Sequence, residues 1–148
     1  MTKSSIKSVT KKESQEMLFI SSFGVIFFVN LVVIYLAHQW FPSFLVLGTM
    51  SLSSYWALFL VSSFIAMAAT LALPLFHEWE AQRKSQLSTT EWMAGYFILN
   101  FVTVWLLTRV AEVFGMGVSS IVVVGVLALV LDFVQGMAMM GLNNQQKN

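Results

Sequence analysis

Four long apolar runs alternate with short polar segments along the chain. Each run is long enough to cross the hydrocarbon core of a bilayer, which takes about 20 helical residues for about 30 Å. The pattern therefore predicts an all-α fold, an integral membrane four-helix bundle. A polar N-terminal segment, 1–16, precedes the transmembrane domain, 17–140, and a polar tail, 141–148, follows it. The predicted spans are residues 17–37, 55–76, 92–114 and 118–140.

Capping and helix-breaking residues predict where some of these spans begin and end. Ser88 and Glu91 have the spacing of a capping box, which predicts that the third span begins near Trp92. The second span is predicted to close near Pro74, because a proline inside a helix lacks the backbone N–H donor. The glycines of the 115–117 segment predict a tight turn between the third and fourth spans.

Composition agrees with the membrane assignment and excludes several classes of function. Of 148 residues, 57% are hydrophobic and 10% charged, against about 25% charged in an ordinary soluble domain. Cysteine is absent and the net charge is +1, so disulfides, thiol chemistry and a basic field for nucleic acid are excluded. The chain contains no hydrolase, kinase or nucleotide-binding motif. We therefore expect a non-enzymatic protein with no cofactor, no metal and no nucleic-acid partner.

The basic residues predict the orientation in the membrane. Lysines of the 1–16 segment and the Arg83–Lys84 pair fall on one side of a four-span topology, whereas the connections around Pro42 and Gly115 carry no lysine or arginine. The positive-inside rule then places the N and C termini in the cytoplasm. Aromatic residues predict two interfacial belts. One contains Tyr35, Trp40, Tyr55 and Trp56, and the other contains Trp79, Trp92 and Tyr96.

A few polar and ionisable residues interrupt the apolar runs and are the candidate functional residues. Asp132 lies well inside the fourth span, where an ionised aspartate costs about 2.5–3.5 kcal/mol. It is either a proton or cation site or a residue that holds the bundle together. Asn30 and Asn100 are predicted to form hydrogen bonds between helices. Arg109 and Glu112 are predicted to pair on one helix face as an anchor, with an anion or substrate contact as the alternative.

Position along the helices predicts which residues meet. Asn100 and Asp132 each lie about eight residues from the cytoplasmic end of adjacent antiparallel spans, at roughly 12 Å depth for 1.5 Å per residue. A neutral Asp132 could therefore exchange hydrogen bonds with the Asn100 amide. Small residues four apart predict two faces of close helix contact. One face contains Ser62, Ala66 and Thr70, and the other contains Ser120, Ala128, Asp132 and Gly136.

Two segments of the chain align without a gap. Residues 28–36 read FVNLVVIYL and residues 98–106 read ILNFVTVWL, with an asparagine at the third position of each. Both segments lie in the first helix of a predicted helical hairpin. Since apolar sequences match one another easily, chance agreement is the alternative to a duplicated hairpin. A true repeat would relate the two halves by an axis along the membrane normal.

A hairpin with an asparagine in its first helix, repeated to give four spans, resembles the YvlD-like small membrane proteins grouped with phage holin superfamily IV. The resemblance covers about residues 23–140 and rests on Asn30, Asn100 and hydropathy. The Pro-Gly turn of that group is missing, since the first turn here reads Trp-Phe-Pro at 40–42. The resemblance implies a bacterial inner membrane protein that self-associates, and it implies holin-like permeabilisation.

Three functions therefore remain open at the level of sequence. The preferred one is a protein that acts in the lipid bilayer by association, as a homo-oligomer or as an accessory subunit of a larger membrane complex. The first alternative is a small ion or proton-coupled transporter or channel that uses Asp132. The second is a holin-like membrane permeabiliser.

Overall fold

Five α-helices and two short β-strands make up the described part of the protein. The computed structural model describes residues 3–145, with side chains from Met17 to Met140 apart from residue 18. The lysine side chains of 1–16, on which the predicted orientation partly depends, and the side chains of the tail lie outside the described residues. In chain order the elements are α1 Lys3–Trp40, β1 Leu45–Leu47, α2 Ser54–Arg83, α3 Thr89–Arg109, α4 Ala111–Phe114, β2 Met116–Val118 and α5 Ile121–Gln145.

The four long helices confirm the predicted helical bundle. Each of α1, α2, α3 and α5 contains a stretch that is long and apolar enough to cross a membrane, as expected of a multi-pass membrane protein. The most extensive contacts are between α1 and α2 and between α3 and α5, and contacts of α1 with α5 and of α2 with α3 close the ring. Large apolar side chains also cover the outside of the bundle, which is the surface that lipid would solvate.

A two-stranded antiparallel sheet joins the two halves of the chain at one end of the bundle. Leu45 pairs with Val118 and Leu47 with Met116, and both leucines and Met116 are buried. The predicted tight turn at 115–117 is therefore wrong. Gly115 alone makes the turn, in the left-handed conformation at φ 71°, and a Cβ there would lie 2.6 Å from Cβ of Ala57. We call this end of the bundle the sheet end.

The helix bounds differ from the predicted spans where tertiary contacts decide them. The capping box is confirmed, since the Ser88 hydroxyl accepts from the Glu91 N–H and the Glu91 carboxylate accepts from the Ser88 N–H. The helix α2 does not close near Pro74 but continues to Arg83, because one missing N–H removes a single backbone bond of a long packed helix. We call the opposite end of the bundle, at the α2–α3 connection of residues 84–88, the loop end.

The two halves of the chain are built alike. Each consists of a long helix, a short strand and a second long helix, with α4 added in the second half. The strands pair antiparallel around Val46 and Gly117, the arrangement that a twofold axis through the sheet produces. Asn30 and Asn100 occupy buried positions in the first helices of their halves. This arrangement supports a duplicated hairpin with an axis along the membrane normal.

Candidate functional site

A chain of side-chain amides crosses the interior of the bundle. We call Asn30, Asn100 and Gln135 the amide cluster. The Asn100 Nδ2 donates to Gln135 Oε1 at 3.0 Å, and the Gln135 Nε2 donates to Asn30 Oδ1 at 2.6 Å. The Asn30 Nδ2 in turn donates to the Ser62 carbonyl at 3.5 Å. The chain runs from α3 through α5 and α1 to α2, so it links all four long helices.

The amide cluster is enclosed by the protein. Asn30, Asn100 and Gln135 expose 0%, 1% and 4% of their surface, which makes the three amides inaccessible to lipid and to bulk water. A buried polar group without a partner costs about 1–3 kcal/mol, and lipid offers no substitute. The hydrogen bonds of the cluster therefore stabilise one arrangement of the four helices over others in which these amides would be unpaired.

The predicted contact face of α2 is confirmed. Ser62, Ala66 and Thr70 are all fully buried, and their small side chains let neighbouring helices approach closely. The Thr70 hydroxyl donates to the Ala66 carbonyl of its own helix at 2.7 Å. The Ser62 hydroxyl is the one buried side-chain polar atom that has no hydrogen-bond partner among the described residues.

The predicted contact between Asn100 and Asp132 is wrong. The Asn100 amide binds Gln135, which lies three residues further along α5. Residues three apart on a helix differ by about 60° in direction and by about 4.5 Å along the axis, and with this offset Gln135 is buried whereas Asp132 is only half-buried. Gln135 was not among the sequence candidates, although an amide in an apolar span is the same feature that identified Asn30 and Asn100.

Asp132 lies at the boundary between the interior and the outer surface of α5. It is half-buried, and no hydrogen bond joins it to another side chain or backbone group of the described residues. Phe133 and Met137, its neighbours along α5, are exposed. Asp132 is thus a carboxyl group in the middle of an apolar helix without a hydrogen-bond partner among the described residues.

The predicted contact face of α5 is correct for one residue out of four. Ala128 is fully buried, but Ser120 and Gly136 are exposed, and a Cβ at Gly136 would meet no atom within 4 Å. The reason is that bulky side chains and Gln135 fill the interior, and the small residues lie to one side of them. The buried side chains of α5 are Val124, Leu127, Ala128, Leu131 and Gln135.

The predicted pair of Arg109 and Glu112 does not form. The helix α3 ends at Arg109, and Val110 leaves the helical conformation with φ −112° and ψ 43° before α4 begins. The two residues are therefore not on one continuous helix face, and no ion pair joins them. The Arg109 guanidinium instead lies over the Trp105 ring, 5.1 Å from its centroid. It also borders an open cleft of about 250 Å³ at the sheet end.

An ion pair and a side-chain-to-backbone hydrogen bond connect α2 to the loop end and to α3. Arg83 Nη1 lies 2.8 Å from Glu91 Oε1, and the Arg83 guanidinium is stacked over the Trp79 ring. Glu80 Oε1 accepts from the Leu87 N–H at 2.9 Å. These bonds close the α2–α3 connection. No cluster of three His, Asp or Glu side chains that could hold a metal ion occurs in the described part of the chain.

Comparison with known proteins gives no relative. No family model, no curated protein and no solved structure matches the chain.

Proposed function

We propose that the protein acts by association within the membrane, with a second copy of itself or as an accessory subunit of a larger complex, through the outer face of α5. The observation that carries the proposal is the half-buried Asp132, which has no hydrogen-bond partner among the described residues. A carboxyl group at this depth costs several kcal/mol if it stays exposed to lipid. A second helix laid against this face would remove the carboxyl group from lipid and could supply a hydrogen bond.

The interior of the bundle favours association over conduction by a single copy. The amide cluster closes the centre with hydrogen bonds from all four long helices. Between the amide cluster and the sheet end, the core is filled by apolar side chains, among them Ile34, Val61 and Leu131. A transport pathway usually contains several ionisable groups in series, whereas the buried polar side chains among the described residues are amides and hydroxyls.

A transporter or channel is the second candidate, and Asp132 is the observation that favours it. A pathway that uses Asp132 would run between two copies along α5, because Asp132 faces outward. Association is required for this function too, so it is a refinement of the proposal and not a contradiction of it. Proton flux into vesicles that hold the wild-type protein, abolished by Asp132→Asn, would support it.

We further propose the bacterial inner membrane, with both termini in the cytoplasm, as the location. The Arg83–Lys84 pair at the loop end supports the orientation, and the YvlD-like resemblance with its holin-like, permeabilising implication supports the location. Single cysteines at Ser51 and Ser85 test the orientation, since both positions are exposed. Labelling from outside intact cells should modify the cysteine at 51 and spare the one at 85. The opposite result would invert the topology.

The proposed association is tested by the mass of the protein extracted from membranes in a mild detergent. A mass above that of one 16.6 kDa chain, after subtraction of bound detergent, is expected. The protein composition of the particle then separates a homo-oligomer from a subunit of a larger complex. A particle that contains one copy of this chain and nothing else would contradict the proposal.

A further inference from the structure

The open cleft at the sheet end has a polar side and an apolar side. Arg109 and Ser120 supply polar groups, and Trp105 and Ile121 supply apolar surface. The cleft lies between the last turn of α3 and the first turn of α5. Both apolar stretches end at this level, so the cleft lies where the hydrocarbon core gives way to the headgroups. None of the features that support association through α5 is part of it.

Arg109 brings an unneutralised positive charge to the cleft. No carboxylate oxygen of the described residues lies within ion-pair distance of its guanidinium, and the acidic group nearest in sequence, Glu112, is on the far side of the helix break at Val110. Arg83 is a natural comparison, because it lies over Trp79 at 5.5 Å in the same way but is neutralised by Glu91. Of these two arginines, Arg109 is the one whose guanidinium N–H groups are available to an external anion.

The hydroxyl groups of the cleft differ in what they can donate. The Ser120 oxygen accepts from the Val123 N–H at 3.4 Å, which leaves the Ser120 O–H free to donate. The Thr108 O–H is already used by the Trp105 carbonyl at 2.7 Å, so Thr108 offers no donor. The cleft therefore presents a guanidinium and one hydroxyl donor, and the positive end of α5 adds a modest attraction for anions.

We propose that this cleft binds the phosphate of a glycerophospholipid headgroup. The phosphate carries a negative charge and several acceptor oxygens, which match the guanidinium of Arg109 and the Ser120 hydroxyl. The apolar surface of Trp105 and Ile121 lies beside them, where the glycerol and the first acyl carbons of the same lipid would continue. A free phosphate ion would use the polar side and leave the apolar side empty.

The test is a lipid titration followed by native mass spectrometry, with purified protein in detergent. The probes are phosphatidylglycerol and a diacylglycerol with the same acyl chains, which lacks the phosphate. The variant Arg109→Gln should weaken phosphatidylglycerol binding by about tenfold, the effect of removing one hydrogen-bonded charge. Arg83→Gln is the matched control and should bind as the wild type does. Ser120→Ala should weaken binding by a smaller factor.

Three results would overturn the proposal. One is equal binding of phosphatidylglycerol to wild-type protein and Arg109→Gln. Another is equal binding of the diacylglycerol and phosphatidylglycerol to the wild type. The third is complete displacement of phosphatidylglycerol by inorganic phosphate at millimolar concentration, which would make free phosphate the ligand. Because Arg109 is exposed, Arg109→Gln should fold, and Arg109→Lys, which keeps the charge but loses the planar donor pair, should bind with intermediate strength.

Discussion

Gln135 and Asp132 are two polar residues on the same helix, separated by less than one turn, and their surroundings differ. Gln135 is buried and bonded to Asn30 and Asn100 of two other helices. Asp132 is half-buried and bonded to none of the described residues. Lipid cannot satisfy a polar group. The described residues satisfy the Gln135 amide and leave the Asp132 carboxyl group without a hydrogen bond. Polar residues inside a span can therefore have two different roles. A residue whose hydrogen bonds are made within the bundle fixes the arrangement of the helices, and a residue without hydrogen bonds indicates a binding partner.

We expect the largest change in stability when the buried residue, Gln135, is replaced. Gln135→Leu should lower the free energy of unfolding by about 2 kcal/mol, because it leaves the Asn30 oxygen and the Asn100 amide buried without partners. Asp132→Leu is the matched control, since it makes an equivalent change on the same helix. It should not lower the free energy of unfolding of a single copy, because it breaks no hydrogen bond among the described residues and removes a carboxyl group that is costly in lipid.

Unfolding of the purified protein by a denaturing detergent, at a dilution that keeps it monomeric, measures both changes. If Asp132→Leu destabilises the single copy as much as Gln135→Leu does, the distinction between the two residues is wrong.

A second effect tests whether the interior is as tightly packed as the amide cluster requires. Ala66 is fully buried on the contact face of α2, so Ala66→Leu should cost about 1.5 kcal/mol through overpacking. Met67→Leu, at the exposed neighbouring position, is the control and should be nearly neutral. The same unfolding assay applies. Unchanged stability in Ala66→Leu would mean that α2 is not held against its neighbours at this face.

A smaller energy, the coupling between two mutations, tests which residue is the hydrogen-bond partner of Asn100. A double-mutant cycle of Asn100→Leu with Gln135→Leu should give a coupling energy of about 0.6–1.7 kcal/mol, the range of interhelical hydrogen bonds in membranes. The cycle of Asn100→Leu with Asp132→Leu is the control and should give additive costs. Coupling of Asn100 to Asp132 instead would restore the contact that the sequence predicts and remove the free carboxyl on which the proposed association depends.

The sequence predicts those features of the fold that depend on local pattern. Long apolar runs predict the four spanning helices, and the spacing of Ser88 and Glu91 predicts the start of α3, because both depend on neighbouring residues. The pairing of β1 with β2 joins three-residue strands about 70 positions apart. No local pattern marks strands this short, so a turn was the natural prediction for residues 115–117.

The candidate site is predictable in part for the same reason. Amides stand out in apolar runs, which identifies Asn30 and Asn100. The choice between Gln135 and Asp132 as their partner needs the rotation of α5 to better than about 60° and its depth to better than about 4.5 Å, because the two residues are three apart. An apolar helix supplies little information on that rotation, since almost every side of α5 could face lipid or protein. The predicted pair of Arg109 and Glu112 requires a continuous helix. The break at Val110 has no marker in the sequence.

Association of this protein in the membrane is proposed to occur through Asp132, on the outer face of α5. The most direct measurement is the size of the particle extracted in mild detergent from membranes that hold wild-type protein, Asp132→Leu or the control Phe28→Leu, an exposed position on α1. We expect the wild type and Phe28→Leu to run as the same larger particle and Asp132→Leu to run as a single folded copy. A larger particle of unchanged size in Asp132→Leu would contradict the proposal.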